Sequence, residues 1–221
     1  AAGDDGGSLG AALYVSHHLY GDLRYPMEHT YLGPEYGDDE ITEFLTTCDI
    51  PYERFSKKDY IERAAQCIAE GEVIGWFHGR SEFGPRSLGN RSILGDATRV
   101  GMKDKINEKI KFREYFRPFA PAVPLESVHE YFDVKPGTEL PFMLKIPQVR
   151  NEMRSRLPAI THEDGTGRVQ TVCHEVNPDF HKLLHAVKKR TGVPVVVNTS
   201  FNVRGEPIVC SPSDAYNCFA N

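Results

Sequence analysis

EVIGWFHGRSEFGPRSLGNRS, residues 72–92, is the stretch that decides the fold. Residues 72–78 have the composition of a buried strand. The residues after it are punctuated by Gly79, Gly84, Pro85 and Gly89, so they must form a loop. The loop carries Arg80, Arg86 and Arg91, and residues 92–94 beyond it read as a second, short strand. Arginine offers a planar fork of donors that matches phosphate or carboxylate oxygens in pairs. Glycine lets backbone N–H groups approach an anion closely. A strand emptying into such a loop reads as an anion site built on a sheet. The competing reading is a solvated loop whose arginines pair with Glu82 and other acids.

Toward the N-terminus, Tyr60, Ile61, Ala64, Ala65 and Ile68 share one face of a helix that begins at Ser56 or Lys57 and stops at Gly71. An acidic start predicts a shorter helix over 39–48. Residues 21–40 lack periodicity and read as a linker, preceded by a loop (AAGDDGGSLG) and a helix (AALYVSHHLY). Toward the C-terminus, helices are predicted over 101–111, 127–132, 177–190 and 211–219. Strands are predicted over 120–123, 142–146, 169–176 and 193–198, with a polar, irregular stretch over 148–167. Helices alternating with strands imply an α/β or α+β sheet domain over about residues 45–221.

The chain has 221 residues, 40% of them hydrophobic and 26% charged, ordinary values for a globular protein. No apolar run approaches the roughly 20 residues of a membrane span. No signal peptide is visible, and without an initial Met the chain reads as a piece of something longer. The five cysteines show no CxxC spacing, which favours reduced thiols and a cytoplasmic setting. The net charge of −5 is uneven: residues 1–60 carry −8 and residues 80–117 carry +5. A confined basic window in an acidic chain suits a small anionic ligand better than nucleic acid. No GxxxxGK[ST] or GxGxxG occurs, so neither a P-loop nor a Rossmann site is available.

Three further segments carry chemistry. KFREYFRPFAPAVP, residues 111–124, interleaves Lys111, Arg113 and Arg117 with aromatics that could stack a base or simply fill the core. VVVNTSFNVRGEP, residues 195–207, runs a buried strand into Asn198, Thr199, Ser200, Asn202 and Arg204. Amides and hydroxyls at the carboxyl end of a strand commonly bind polar ligands, though a structural turn has the same composition. HEDGTGRVQTV, residues 162–172, places Arg168 after a Gly-rich turn, and His162 reads as a ligand-binding group or a loop histidine. His181 and His185 share a helix face, but without an HExxH-type carboxylate they and His174 read as too poorly grouped for a metal.

Taken together, GRSEFGPRSLGNRSILGD, FRPFAPAV, HEDGTGRVQTV and VVVNTSFNVRGEPIV resemble, in order, the C-terminal region of the O-carbamoyltransferases that include the nodulation protein NodU and enzymes carbamoylating antibiotics. The resemblance implies a YrdC-like twisted mixed sheet with flanking helices around a basic cavity over residues 45–221. It also implies a tail of the preceding actin-like ATPase-fold transferase domain over 1–24, and a linker over 25–44. By the same resemblance the domain binds carbamoyl phosphate and ATP with Mg²⁺ and forms carbamoyl-adenylate. The protein's own N-terminal domain then passes the carbamoyl group to an acceptor hydroxyl.

The TSFN run resembles the Ser/Thr-Ser-Ala-Asn motif of YrdC proteins. Arg80, Arg86 and Arg91 are then expected at the catalytic phosphates, with Arg117, Arg168, Asn198, Thr199, Ser200, Asn202 and Arg204 binding substrate and nucleotide. Asp4, in DDGGSLG, is expected to ligate a divalent metal, iron, whose other ligands lie in the transferase domain, with Asp5 the competing alignment. A single carboxylate cannot hold a metal, so the chain alone is expected not to complete transfer. The family usually continues past residue 221, so a closing segment is expected beyond it. The rival reading is a non-catalytic YrdC-like module that binds nucleotide or RNA.

Overall fold

The structure is a computed structural model that describes residues 4–24 and 26–220, apart from the side chains of Asp4 and Asp5. Helix α1 spans Asp4–Val15 and passes into a π-helical turn, Ser16–Tyr20. α2 (Asp38–Thr47) and α3 (Lys57–Glu70) precede strand β1 (Ile74–Phe77); β2 (Arg91–Asp96) comes after the arginine loop. α4 (Met102–Ile106) winds into a π-helical turn, Asn107–Lys111. Then come β3 (Ala120–Pro124), a 3-10 turn Leu125–Ser127, α5 (Val128–Tyr131), α6 (Asn151–Arg154) and β4 (Gln170–Val172). α7 (Pro178–Thr191), β5 (Val196–Ser200) and α8 (Pro212–Ala220) complete the described chain.

The strands form one mixed sheet in the order β1-β2-β5-β3-β4. All neighbours are antiparallel except the parallel pair β3–β4. The expected mixed sheet with flanking helices is therefore present. β5 is central and buried on both faces, which is why it reads as an unbroken valine run rather than an alternation. Val196 packs under α3 and α7 with Ile61, Ala65, Phe180 and Leu184, whereas Val195 and Val197 face the opposite core of Met102, Ile106, Phe132 and Ile160. Each such valine contributes about 1.5–3 kcal/mol. α3 starts at Ser56, whose Oγ accepts from the Asp59 N–H at 3.3 Å, and ends at Gly71 in a left-handed conformation (φ 89°). α7 is capped by the Asn177 side chain, which accepts from the Phe180 N–H at 3.2 Å.

Several boundaries differ from expectation. DDGGSLG is helical from Asp4, because acidic residues suit a helix N-terminus and the glycines do not interrupt α1. No strand forms over 142–146: Pro141 and Pro147 flank it, and Met143 adopts φ 54°. β4 stops at Val172, where the chain turns toward the α7 cap. β5 runs two residues further than predicted, so Thr199 and Ser200 pair with Ile93 and Ser92 rather than lying in a loop. The helix over 101–111 widens into a π turn and ends at Phe112 (φ 44°), which swings Lys111 inward. Among the described residues no helix is long and apolar enough to cross a membrane.

Residues 30–35 lie along the arginine loop. The Ser81 N–H donates to the Pro34 carbonyl at 2.8 Å and the Phe83 N–H to that of Thr30 at 2.6 Å. The Tyr31 hydroxyl donates to the Leu88 carbonyl at 2.7 Å.

Candidate active site

The arginine loop, residues 79–90, is held from inside. The Glu82 carboxylate accepts the backbone N–H groups of Leu88 at 2.6 Å and Asn90 at 2.9 Å, so it orders the loop rather than pairing with arginine side chains. Burial raises its pKa, and these N–H bonds work against that rise. Gly89 sits at φ 108°, and a Cβ there would lie 2.3 Å from the Phe180 ring; only glycine fits between loop and helix. Asn177 of the α7 cap donates to Asn90 Oδ1 at 2.9 Å, and Gln170 of β4 donates to the Leu88 carbonyl at 2.6 Å. Asn198 of β5 donates to Gln170 Oε1 at 2.7 Å. Loop, cap and sheet thus share one buried polar network.

The three loop arginines do not converge. Arg91 is fully buried, its guanidinium 3.7 Å from the Phe77 ring centroid. Its fork donates to the carbonyls of His78 (2.8 Å), Gly79 (3.1 Å), Asn90 (3.0 Å), Pro34 (3.3 Å) and Cys210 (3.4 Å). Every branch is engaged with main chain, so this arrangement corrects the expected phosphate contact to a structural one. Arg80 is exposed and turned to Glu35 at 3.6 Å. Arg86 is exposed and lies close enough to Arg168 to repel its charge.

Basic residues gather instead at the carboxyl end of β5, around a cleft of about 250 Å³. Arg117, Ser200, Asn202 and Arg204 line it, together with Lys111, Arg113 and one acid, Glu114. Lys111 is buried, and its Nζ donates to the Ser200 carbonyl at 2.6 Å and to the Asn202 carbonyl and Oδ1, each at 2.8 Å. Burial first, then Arg113, lowers its pKa to about 8. The Ser200 hydroxyl donates to Asn202 Oδ1 at 2.7 Å, so the lysine pins the whole TSFN turn.

Arg113 stacks over Phe119 at 4.6 Å and donates to Asn107 Oδ1 at 2.7 Å. Its pKa is lowered by burial, then by Arg117 and Arg168; that of Arg168 is lowered by burial, then by Arg86. Arg86, Arg168, Arg113 and Arg117 therefore form a chain of repulsion, which Glu114, 3.8 Å from Arg117, relieves at Arg117 and Arg113. Asn198 is buried beside Ser87 and Gln170; its Oδ1 and the Ser87 Oγ are buried without a hydrogen-bond partner among the described residues. Phe119 is core, whereas Phe112, Tyr115 and Phe116 are exposed, so the aromatics of 111–124 divide between the two readings.

A larger cavity of about 410 Å³ lies under residues 26–31, beside Phe142 and Val172, but its charged lining is Glu28, Glu139 and Glu175, which repels a polyphosphate. Asp4 opens α1; its side chain, and that of Asp5, lie outside the described residues. His162 accepts or donates with Thr166 Oγ1 at 3.0 Å inside its own turn and is a loop histidine. His181 and His185 are better grouped than the sequence suggested, because Glu126 arrives from a distant turn to meet both.

Lys111 and Arg113 are the site residues that sequence reasoning passed over. Both stood in a segment already read as basic and aromatic; what was hidden was the π turn that buries one and stacks the other.

Residues 65–221 match the family described as Carbamoyltransferase C-terminus. The nodulation protein NolO of Bradyrhizobium diazoefficiens is 46% identical over 99% of this chain and 40% of its own length. The 3'-hydroxymethylcephem-O-carbamoyltransferase of Amycolatopsis lactamdurans is 36% identical over 96% of this chain and 38% of its own length. In fold, the chain is similar to full-length HypF, crystallised in a phosphate- and nucleotide-bound form, with a TM-score of 0.52 and 17% identity over 76% of this chain and 20% of HypF. The chain spans between 33% and 42% of the length of the curated relatives it matches.

Proposed function

The chain belongs to the carbamoyltransferase C-terminus family, and from that premise we propose that it is the substrate-activating portion of an O-carbamoyltransferase. It binds carbamoyl phosphate and ATP and forms carbamoyl-adenylate. Water first converts carbamoyl phosphate into carbamate and inorganic phosphate. A carbamate oxygen then attacks the α-phosphorus of ATP, which enters as its magnesium complex, and pyrophosphate leaves. In the remaining part of the longer protein, an acceptor hydroxyl loses its proton and attacks the carbamoyl carbon, and AMP departs.

The observation that carries this reading is the cleft where Lys111, Arg113 and Arg117 gather with Glu114 as the one acid in its lining, while Arg168 repels Arg113 and Arg86 repels Arg168. Cations held together against their own repulsion favour a multiply charged anion, and phosphoryl chemistry needs little else from a protein than charge and position. Arg204 joins them from the turn after β5. Lys111 fixes the main chain at Ser200 and Asn202, whose side chains orient the carbamoyl group or a phosphate. The unpartnered Asn198 Oδ1 and Ser87 Oγ suit a small polar ligand with donors, such as the carbamoyl amide. Exposed Phe112, Tyr115 and Phe116 offer faces on which adenine stacks.

The test is pyrophosphate release from ATP and Mg²⁺, with and without carbamoyl phosphate. Release should require carbamoyl phosphate and fall at least about a hundredfold in Arg113→Ala, the scale of losing one charge-stabilising group. The chain alone should not carbamoylate an acceptor. Failure of the folded chain to bind ATP would sink the reading, and strongly salt-dependent RNA binding indifferent to carbamoyl phosphate would favour the non-catalytic module.

A further inference from the structure

His181 and His185 stand one turn apart on α7, so their rings project from the same face. The 3-10 turn leaving β3 carries Glu126 across to them. Glu126 Oε1 lies 3.0 Å from His181 Nε2 and 2.8 Å from His185 Nε2, and Oε2 lies 3.2 Å from His181 Nε2. The ligand atoms of the three residues all fall within 4.8 Å of one another. Tetrahedral coordination with bonds near 2.0–2.1 Å sets ligand atoms about 3.3 Å apart, so the group would close by up to about 1.5 Å around an ion, within the reach of side-chain rotation. His174 meets the His181 ring edge-on, with centroids 5.4 Å apart. It is more than half exposed, with its Nδ1 3.9 Å from Glu175 Oε1.

An ordinary surface ion pair explains this group less well. Two imidazoles aimed at one carboxylate oxygen gain little from a second hydrogen bond, and side-chain pairs at such exposure contribute little. The His181 side chain is 12% exposed, so its ring is largely withdrawn from water while it faces Glu126. Two imidazoles and a carboxylate make a donor set suited to zinc-class ions and poorly suited to calcium or magnesium, which take oxygen ligands.

We propose that Glu126, His181 and His185 bind one divalent transition-metal ion of the zinc class, with His174 as the fourth ligand, and that the ion ties α7 to the turn leaving β3. α7 carries at its start the Asn177 cap that holds the arginine loop through Asn90. The ion would therefore brace the element against which that loop is built.

Cobalt(II) titration of the purified chain tests this, because tetrahedral cobalt absorbs visibly and zinc should displace it. One equivalent should bind, and zinc should raise the melting temperature. His181→Ala and Glu126→Gln should each weaken binding by at least about a hundredfold, beyond the loss expected from an outer partner. His174→Ala should weaken it by about tenfold. Far-ultraviolet circular dichroism checks that each variant folds; should His181→Ala fail, the half-exposed His185→Ala serves in its place. No cobalt band in the wild type, or undiminished binding in both the Glu126→Gln and His185→Ala variants, would overturn the site. An unchanged affinity in His174→Ala would remove it as the fourth ligand.

Discussion

Arg91 commits its whole fork to backbone carbonyls inside the fold, whereas Arg113 and Arg117 line a cleft with one acid, Arg168 repels Arg113, and Arg86 repels Arg168. The two regions are near in sequence and identical in residue type, and their energetics run opposite ways. Around Arg91, burial pulls the guanidinium pKa down and nearby Glu82 works against that; five carbonyl acceptors compensate for lost water. Around the cleft, each cation makes its neighbour less comfortable. A buried charge with all its bonds made is a structural element, while a set of charges with bonds left over is a binding surface.

The largest effect that could break this comparison is on stability. Arg91→Ala should leave carbonyls of the loop and of Cys210 buried and unpaired, lowering unfolding free energy by about 3–5 kcal/mol in urea denaturation. Arg113→Ala should cost less than about 1 kcal/mol, since the lost stacking on Phe119 is offset by relief of repulsion. Comparable losses for the two variants would erase the distinction between support and surface.

Legibility in the sequence divides along the same line. The strand 72–78, the glycine-broken loop, the α3 and α7 faces and the β5 valines were readable, because burial imposes periodicity or composition on them. So was the gathering of Arg117, Ser200, Asn202 and Arg204, through motif order. What composition could not tell is the direction in which an arginine points. Arg91 opens β2, where it turns into the body of the protein beneath the loop that it anchors. Lys111 was hidden by a helix that widens by one residue in its last turn, and the Glu126 cluster by a contact across 55 positions of sequence. Local patterns carry periodicity; they do not carry tertiary pairing.

A smaller effect sharpens the cleft side. Lys111 has its folded pKa lowered from 10.5 to about 8, mainly by burial. Between those values the unfolded chain holds more protons than the folded one, so stability rises with pH through that window. Relative to Lys111→Met, the wild type should gain about 1–3 kcal/mol between pH 8 and 10.5, measured by urea denaturation at each pH. The variant should also lose pyrophosphate release, because the carbonyls of Ser200 and Asn202 are no longer gathered. A flat difference across that range would mean that the oxygens around Nζ hold its charge as firmly as water does.

The smallest effect concerns Arg80, which belongs to neither set. Its partner Glu35 is 3.6 Å away, and both side chains are about half exposed, 52% and 55%. A pair so placed contributes roughly 0–1 kcal/mol, screened further by salt. Arg80→Ala should therefore change stability by less than about 0.5 kcal/mol and lower pyrophosphate release by no more than about threefold, against at least about a hundredfold for Arg113→Ala. The contrast is informative because Arg80 and Arg86 share one glycine-rich loop and looked equivalent as motif residues. Should Arg80→Ala match Arg113→Ala in lost activity while stability stays level, the loop must turn Arg80 away from Glu35 toward the cleft when substrate binds. The boundary between supporting and binding arginines would then be set by ligand rather than by the fold alone.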